Sequence, residues 1–545
     1  MLAPKPKEEE KIVARIHVTN PLNDDYIPTL YRTFPCETES VTEALKGELP
    51  YWTNLIPILI DAGTSKGKTT FVYKELIPRA LAAGKHVILI SNRIALSLQM
   101  KRDVMALQDS PLQNRLTDQG IRETDIFGSV AVVSYQSLPR FLNDPANAEW
   151  LKNVLYMVAD ECHYFTADSS FNKNCEYHLK LITKHFSHAV RIYMTATSWS
   201  VLDVLAKAEA KISCLSARFR ARSQGLYFER TFYRYHWEAD YSHVDLQFVE
   251  NLEAIKALIH RNSEEKFLIF VDNKEKGKSL AQGLGNRATY LDADSKGTKE
   301  MEELLKASRF GSQVLVTTKV LDCGINIWDT ELRNVVVATD DRTSLVQMLG
   351  RKRCKPGERV NLYVCDIDHR VLAKRYTSAQ ELLTMLKRYE NAGEEERRKM
   401  GREIWNSDDE RLRLYFRLTD STLVPNCVAF YALMRKSHFY AKLLSGELTF
   451  REAVCEWLGK TLEPEAVPTD ELTTFCEAHL GEELSEEEIK TVRELIVKAA
   501  GSTGFVEPQP TRVATLGREA LNNRMAKFSC AYRIDRSMWK IVKEA

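Results

Sequence analysis

Short runs of apolar, largely β-branched residues recur along roughly the first two-thirds of the chain, from residue 55 to residue 370. They are Ile58–Ile60, Val87–Ile90, Val130–Val133, Leu155–Ala159 and Ile192–Met194, and then, after a gap, Phe267–Val271, Val314–Thr317, Val335–Ala338 and Leu362–Val364. Continuous apolar runs of this length suit strands buried on both faces of a parallel sheet, and the amphipathic stretches between them suit crossover helices. The series falls into two groups. Between them lies Ala217–Trp237, rich in Arg and aromatic residues, which reads as the connection between two α/β lobes.

Beyond residue 370 the strand signal stops. Ser378–Asn391 and Glu394–Trp405 show helical spacing with abundant Glu, Lys and Arg. Ser485 followed by Glu488 makes a capping box that opens an amphipathic segment through Ala499. The first 45 residues hold few signals beyond a short strand at Val13–Val18. The pattern therefore predicts an α/β protein: an N-terminal extension over 1–45, parallel-sheet lobes over 46–216 and 217–370, and a mainly α-helical accessory domain over 371–545.

Composition narrows the class without naming a chemistry. With 545 residues, 44% hydrophobic and 28% charged, the chain is a multidomain globular protein. No run of eighteen apolar residues occurs, so no membrane-spanning helix and no membrane partner is expected. Met1–Lys11 is charged and lacks the apolar stretch of a signal peptide. Eleven scattered cysteines with no C-x-x-C pair read as reduced thiols in a cytoplasmic setting, not as a disulfide framework or a zinc site. A net charge of +1 neither argues for a nucleic-acid partner nor against one, so any basic surface has to be local.

The candidate chemistry begins at Ala62-Gly63-Thr64-Ser65-Lys66-Gly67-Lys68-Thr69, with Thr70 next. It follows an apolar run and precedes a helical pattern from Thr69 to Leu81, the strand–loop–helix context of a phosphate-binding P-loop, with Ala in place of the first Gly. Gly63 and Gly67 let backbone N–H groups turn toward phosphate oxygens. Lys68 would reach the β- and γ-phosphates of ATP, and the Thr69 hydroxyl would hold Mg²⁺. Pro57 cannot donate within a central strand, so it should sit at the strand's start. Leu155–Ala159 ends in Asp160-Glu161-Cys162-His163. Carboxylates at the C-terminal end of a buried strand are where a metal-bound triphosphate needs them. Asp160 would join the Mg²⁺ shell and Glu161 would orient or deprotonate the attacking water. His163 could couple this site to the opposite lobe.

From here the chain resembles the superfamily 2 helicases, and Asp160–His163 is a DExH box as it stands. Met194-Thr195-Ala196-Thr197 resembles that family's motif linking hydrolysis to nucleic-acid engagement. Ser91-Asn92-Arg93 and Ser134-Tyr135-Gln136-Ser137 match first-lobe segments that contact a nucleic-acid backbone. Phe270–Lys274, Thr317–Asn326 and Gln347–Arg353 resemble the second-lobe motifs in order. The resemblance implies two RecA-like lobes with ATP in the cleft between them. It implies nucleic-acid contacts at Arg93, Ser134, Gln136, Asn273 and Thr317, nucleotide contacts at Gly324 and Asn326, and catalytic roles for Gln347, Arg351 and Arg353.

An arginine acting across a cleft stabilises the γ-phosphate charge by a factor of about 10³–10⁵ and makes hydrolysis depend on lobe closure. The family spacing puts the last arginine seven residues after Gln347, where this chain has Cys354; Arg351 fits the pattern and Arg353 is one residue early. No glutamine precedes Gln99, so the adenine-reading glutamine of DEAD-box proteins is absent. The cysteines inside motifs, Cys162, Cys323 and Cys354, have no base beside them and are not read as nucleophiles.

Two further stretches mix cations with rings: Arg218–Arg234, and residues 511–545 with eight Lys/Arg against three Asp/Glu. Either suits a single strand; an interlobe strand and an amphipathic terminal helix are the plainer readings. The expectation is an ATP- and Mg²⁺-dependent helicase on single- or double-stranded DNA or RNA, with protein partners meeting the C-terminal domain. A duplex translocase or remodelling ATPase subunit of a larger defence or replication complex, and a nucleotide-switched nucleic-acid-sensing scaffold, share the same motifs.

Overall fold

The computed structural model describes residues 29–543 apart from 39, 65, 93, 108–116, 210–231, 296–297, 319–325, 356, 420–421, 463–469, 503–516, 519–520, 523–524, 526–531 and 536. The strand at Val13–Val18 and most of the stretch from Arg218 lie outside the described residues, as do parts of the stretch over 511–545. The chain divides into two units: residues 1–240 with 369–445, and residues 241–368 with 446–545.

The first unit is built on one sheet of β1 (Thr29–Phe34), β2 (Ile58–Asp61), β3 (His86–Ser91), β4 (Ile126–Phe127), β5 (Val130–Ser134), β6 (Val154–Ala159), β7 (Val190–Thr195) and β8 (Phe232–Trp237). Their spatial order is β1-β8-β2-β7-β6-β3-β5-β4. Every pairing is parallel except that of the short β4 with β5. The apolar runs behave as their composition requires. All four residues of β2 and all six of β7 are buried, because crossover helices cover both faces. Pro57 stands immediately before β2, where its missing N–H costs no ladder bond and its carbonyl accepts from Tyr233 N at 3.0 Å.

The second unit carries a wholly parallel sheet of β9 (Val244–Val249), β10 (Lys266–Val271), β11 (Ala288–Leu291), β12 (Val314–Thr317), β13 (Leu332–Ala338) and β14 (Val360–Cys365). Its order is β11-β12-β10-β13-β14-β9. Two parallel-sheet α/β domains are thus present, as the apolar runs predict.

Three boundaries shift. β1 and the helix Val41–Leu45, expected in an extension, belong to the first unit. β8, expected to open the second lobe, lies inside the first sheet between β1 and β2. Both strands mix polar residues in among apolar ones, as a sheet margin allows, and so lack the continuously apolar signature of the central runs. The C-terminal third divides as well. Helices His369–Asn391 and Cys427–Ser445 pack together, and Val428 and Tyr431 of the latter enter the same apolar cluster as Met157, Phe165 and Leu179 of the first unit. Residues 446–545 cluster with the second unit, where Leu472, Val492, Ile496, Leu521 and Ile541 form a core of their own. Among the described residues of the C-terminal third, the two-stranded pairs Phe416–Thr419 with Thr422–Pro425, and Tyr532–Ile534 with Ile541–Lys543, interrupt the helices.

The Ser485–Glu488 capping box forms and opens a helix over Glu486–Ser502. No helix among the described residues is long and apolar enough to cross a membrane.

Candidate nucleotide and nucleic-acid site

β2 ends at Asp61 and the P-loop follows at once. Gly67 has φ 76°, in the left-handed region, and directly precedes the helix Lys68–Phe71. A side chain there would be strained whatever the space around it, so the turn into the helix requires glycine. Lys68 Nζ folds over the loop to donate to the carbonyls of Ala62 at 2.6 Å and Gly63 at 3.1 Å. Lys66 leaves the loop instead: its ammonium donates to the carbonyls of Cys36 and Thr38, and its own carbonyl accepts from Val41 N at 2.9 Å. The segment before residue 45 therefore braces the loop. Thr64, Thr69 and Thr70 are in place around it, and Ser65 lies outside the described residues.

The helix after the loop is not the continuous one expected over Thr69–Leu81. A π-helical turn, Val72–Leu76, separates Lys68–Phe71 from Ile77–Ala82. Pro78 explains it. Its nitrogen cannot donate to the carbonyl four residues back and its ring crowds that carbonyl, so the turn widens.

The glycine-rich loop and the Asp160–Glu161 carboxylates meet at the end of β7. Ala62 N donates to Thr195 O at 3.0 Å, and Cys162 N donates to Met194 O at 2.9 Å. Asp160 follows β6, with its N–H on Ile90 O at 2.8 Å and its Oδ1 accepting from Glu161 N at 3.0 Å. Glu161 has φ 49°, a left-handed backbone on a non-glycine residue, and its side chain is buried. Its Oε2 lies 3.3 Å from His163 Nδ1, which is 3.1 Å from Thr195 Oγ1. Thr195 Oγ1 in turn accepts from Thr197 N at 3.0 Å. A polar line thus runs from Glu161 through His163 to Thr195 and Thr197 within the first unit. The His163 ring, expected to couple the site to the opposite lobe, is engaged along this line within the first unit. Burial, followed by the charges of Glu161 and Asp160, pushes the Cys162 thiol well above its ordinary value, so it is no nucleophile.

The first-lobe segments expected to touch nucleic acid gather at neighbouring strand ends. Gln136 Nε2 donates to Asn92 Oδ1 at 2.9 Å, and Asn92 Nδ2 donates to Asp168 Oδ2 at 2.9 Å. Gln136 is exposed. Ser134 Oγ is 2.8 Å from Ser137 Oγ and accepts from Ser137 N. Arg93 lies outside the described residues.

In the second unit, Asn273 caps a helix: its side chain accepts from Glu275 N at 2.8 Å and Lys276 N at 3.1 Å. Thr317 ends β12 with a fully buried side chain, and Gly324 lies outside the described residues. Asn326 Oδ1 accepts from Arg353 Nε at 2.8 Å, and a bridge between Ile327 and Lys352 binds the two motifs together. Arg351 is 1% exposed, with its guanidinium donating to Gln347 Oε1 at 2.8 Å and Gln347 O at 3.1 Å. Lys352 is buried against Glu358 at 2.5 Å. The segment is therefore a packed element and not a solvated basic loop, and Arg353 is its more exposed arginine.

Sequence reasoning missed two groups. Asp168 anchors Asn92 but belongs to no motif. Asp61 carries a buried cluster: Oδ2 accepts from Arg234 Nη2 at 2.6 Å, from His236 Nδ1 at 2.8 Å and from Ser198 Oγ. A lone acid at the end of an apolar run, Ile58–Asp61, was the only available signal.

Two family models match the chain in order: the type III restriction enzyme res subunit over residues 37–199 and the helicase conserved C-terminal domain over residues 250–354. No curated protein matches by sequence. Among solved structures, the Mycobacterium smegmatis helicase Lhr bound to ssDNA and AMP-PNP is similar at 14% identity over 93% of this chain and 58% of its own, with a TM-score of 0.43. Mss116p bound to ssRNA and AMP-PNP is similar at 13% identity over 87% of this chain and 99% of its own, with a TM-score of 0.44. S. cerevisiae Dbp5 bound to RNA and ADP BeF3 gives 14% identity over 57% and 80%, with a TM-score of 0.41. These overall likenesses are weak. The family rests on the paired matches, the first enclosing Ala62–Thr69, Asp160–Glu161 and Thr195–Thr197, the second Gln347–Arg353. The chain belongs to superfamily 2 of the helicases.

Proposed function

We propose that this protein is an ATP- and Mg²⁺-dependent motor of the DExH kind that couples nucleotide hydrolysis to movement on, or separation of, nucleic-acid strands. One observation carries the reading: Ala62 and Cys162 bond to adjacent carbonyls at the end of β7, so the P-loop and the Asp160–Glu161 carboxylates flank one strand end. In this reading Gly63–Thr70 wrap the triphosphate, and Lys68 exchanges its two carbonyl partners for phosphate oxygens. Thr69 Oγ1 and the Asp160 carboxylate are hard oxygen donors, the kind Mg²⁺ takes beside phosphates. The bound ion would neutralise charge on the phosphates.

Glu161 is the general base for the attacking water. His163 and Thr195 orient it and transmit its state to Thr197. Arg351 and Arg353 are the candidate cations for the transition state, with Gln347 holding Arg351. Gln136 and Asn92 form a polar edge suited to a nucleic-acid backbone. The described cysteines are free thiols, which supports a reducing, cytoplasmic setting.

The test is ATP turnover against a panel of single- and double-stranded DNA and RNA. We expect stimulation by at least one of them, complete dependence on Lys68, and in Glu161→Gln a loss of about 10²–10⁴ in kcat with ATP binding retained. A protein whose turnover ignores every nucleic acid and survives Lys68→Ala would refute the motor reading. Forked against blunt substrates would then separate unwinding from translocation on duplex.

A further inference from the structure

Asp61 stands at the last position of β2, immediately before the P-loop. Its register neighbours in the sheet are Thr195 of β7 on one side and His236 of β8 on the other. Three donors from two elements converge on one oxygen: Arg234 Nη2 at 2.6 Å and His236 Nδ1 at 2.8 Å from β8, and the hydroxyl of Ser198, which lies one residue past Thr197. Arg234 Nη2 also donates to Ser198 Oγ at 2.8 Å, so the three groups close on one another. The Asp61 side chain is 3% exposed and that of Arg234 13%. A buried ion pair of this kind is costly to assemble unless every polar atom is satisfied, and it adds little stability over an apolar replacement. What it supplies is a fixed register among the elements that share it.

Those elements are significant. Ala62, the next residue, donates its N–H to Thr195 O and begins the loop around Lys68. Ser198 continues the Thr195–Thr197 segment that receives the line from Glu161. β8 is the last strand of the first sheet before the chain passes into the second unit at Tyr241. A pull on the connection is delivered first to the strand that bears Arg234 and His236.

We propose that Asp61 is a positioning residue whose carboxylate holds the P-loop entry, the Thr195–Ser198 segment and the strand leading to the second unit in one register. The inference rests on the motor reading for its consequence, although the clamp itself does not. Asp61 touches no reacting atom. It acts by setting where Lys68 and Thr197 stand when the second unit moves.

Asp61→Asn keeps the shape and an acceptor oxygen while removing the charge. We expect nucleic-acid-stimulated kcat to fall about tenfold with the KM for ATP within about twofold of wild type. Hydrogen exchange should rise together in residues 62–70, 195–200 and 232–237. Arg234→Gln should reproduce both effects, and the double variant should be no worse than either single one. Wild-type kcat and unchanged exchange in Asp61→Asn would overturn the proposal. So would a loss of activity that merely tracks the unfolded fraction in a thermal melt. If Asp61→Asn does not fold, Ser198→Ala, which removes one donor and no charge, is read by the same two measurements. If wild type hydrolyses no ATP with any nucleic acid, the motor reading fails while exchange still judges the clamp.

Discussion

Glu161 pays for its position in backbone strain. Its φ of 49° is unfavourable for any residue with a Cβ and costs of order 1–3 kcal/mol. Substitutions at 161 should therefore separate stability from activity. Glu161→Gly is expected to be about 1 kcal/mol more stable than Glu161→Ala in urea unfolding, with both expected to lose ATP turnover under the proposed role of Glu161. Equal stabilities would mean that the left-handed turn is not imposed by the fold. At Asp61, burial opposes ionisation, yet the hydrogen bond from His236 and the charge of Arg234 outweigh it and bring the carboxyl from 3.8 to about 2. A carboxylate held below its unfolded value contributes stability above that value and loses it as pH falls through the folded one. The contribution is about 2 kcal/mol. The stability gap between wild type and Asp61→Asn should close between about pH 4 and pH 2. A gap independent of pH over that range would show that the carboxylate is not the group responsible.

At the scale of elements, capping explains residues that a motif reading assigns to ligands. Asn273 follows β10 and accepts from two N–H groups at the start of the helix Lys274–Leu284. Such a cap is worth about 1 kcal/mol. Asn273→Asp should preserve both stability and nucleic-acid affinity, whereas Asn273→Ala should lower stability by about that amount. If Asp at this position weakens binding while the fold is unaffected, Asn273 contacts the phosphate backbone as the family pattern suggests. The Pro78 turn belongs to the same scale. A helical periodicity marks the segment after the P-loop correctly, but only the local clash at proline sets the π-helical turn over Val72–Leu76.

Across the whole molecule, the division of the C-terminal third has a testable consequence. Helix Cys427–Ser445 completes the first unit: Tyr431 donates to Asp203, Cys427 N donates to Glu176 at 3.0 Å, and Val428 and Tyr431 join the core beneath β6. Tyr431→Ala should cost about 3 kcal/mol and raise hydrogen exchange in Cys175–His185 and residues 198–203. A change confined to residues 369–445 would make that segment a separate domain. Its role would then be independent of the segment after Thr197.

The sequence alone determined the parallel sheets, the P-loop with its carboxylates and the order of the second-lobe motifs. Each is a local pattern, since buried central strands must be continuously apolar and a phosphate loop needs its glycines and lysine adjacent in the chain. Only the tertiary structure decided that β1 and β8 complete the first sheet, that residues 369–445 pack with it, and that Arg351 is buried on Gln347. Margin strands and amphipathic helices carry a half-apolar pattern that states a need for a partner without naming one. Asp61 is the sharpest case. Its donors lie 137, 173 and 175 residues away, and nothing in a single charged residue at a strand end records who will meet it.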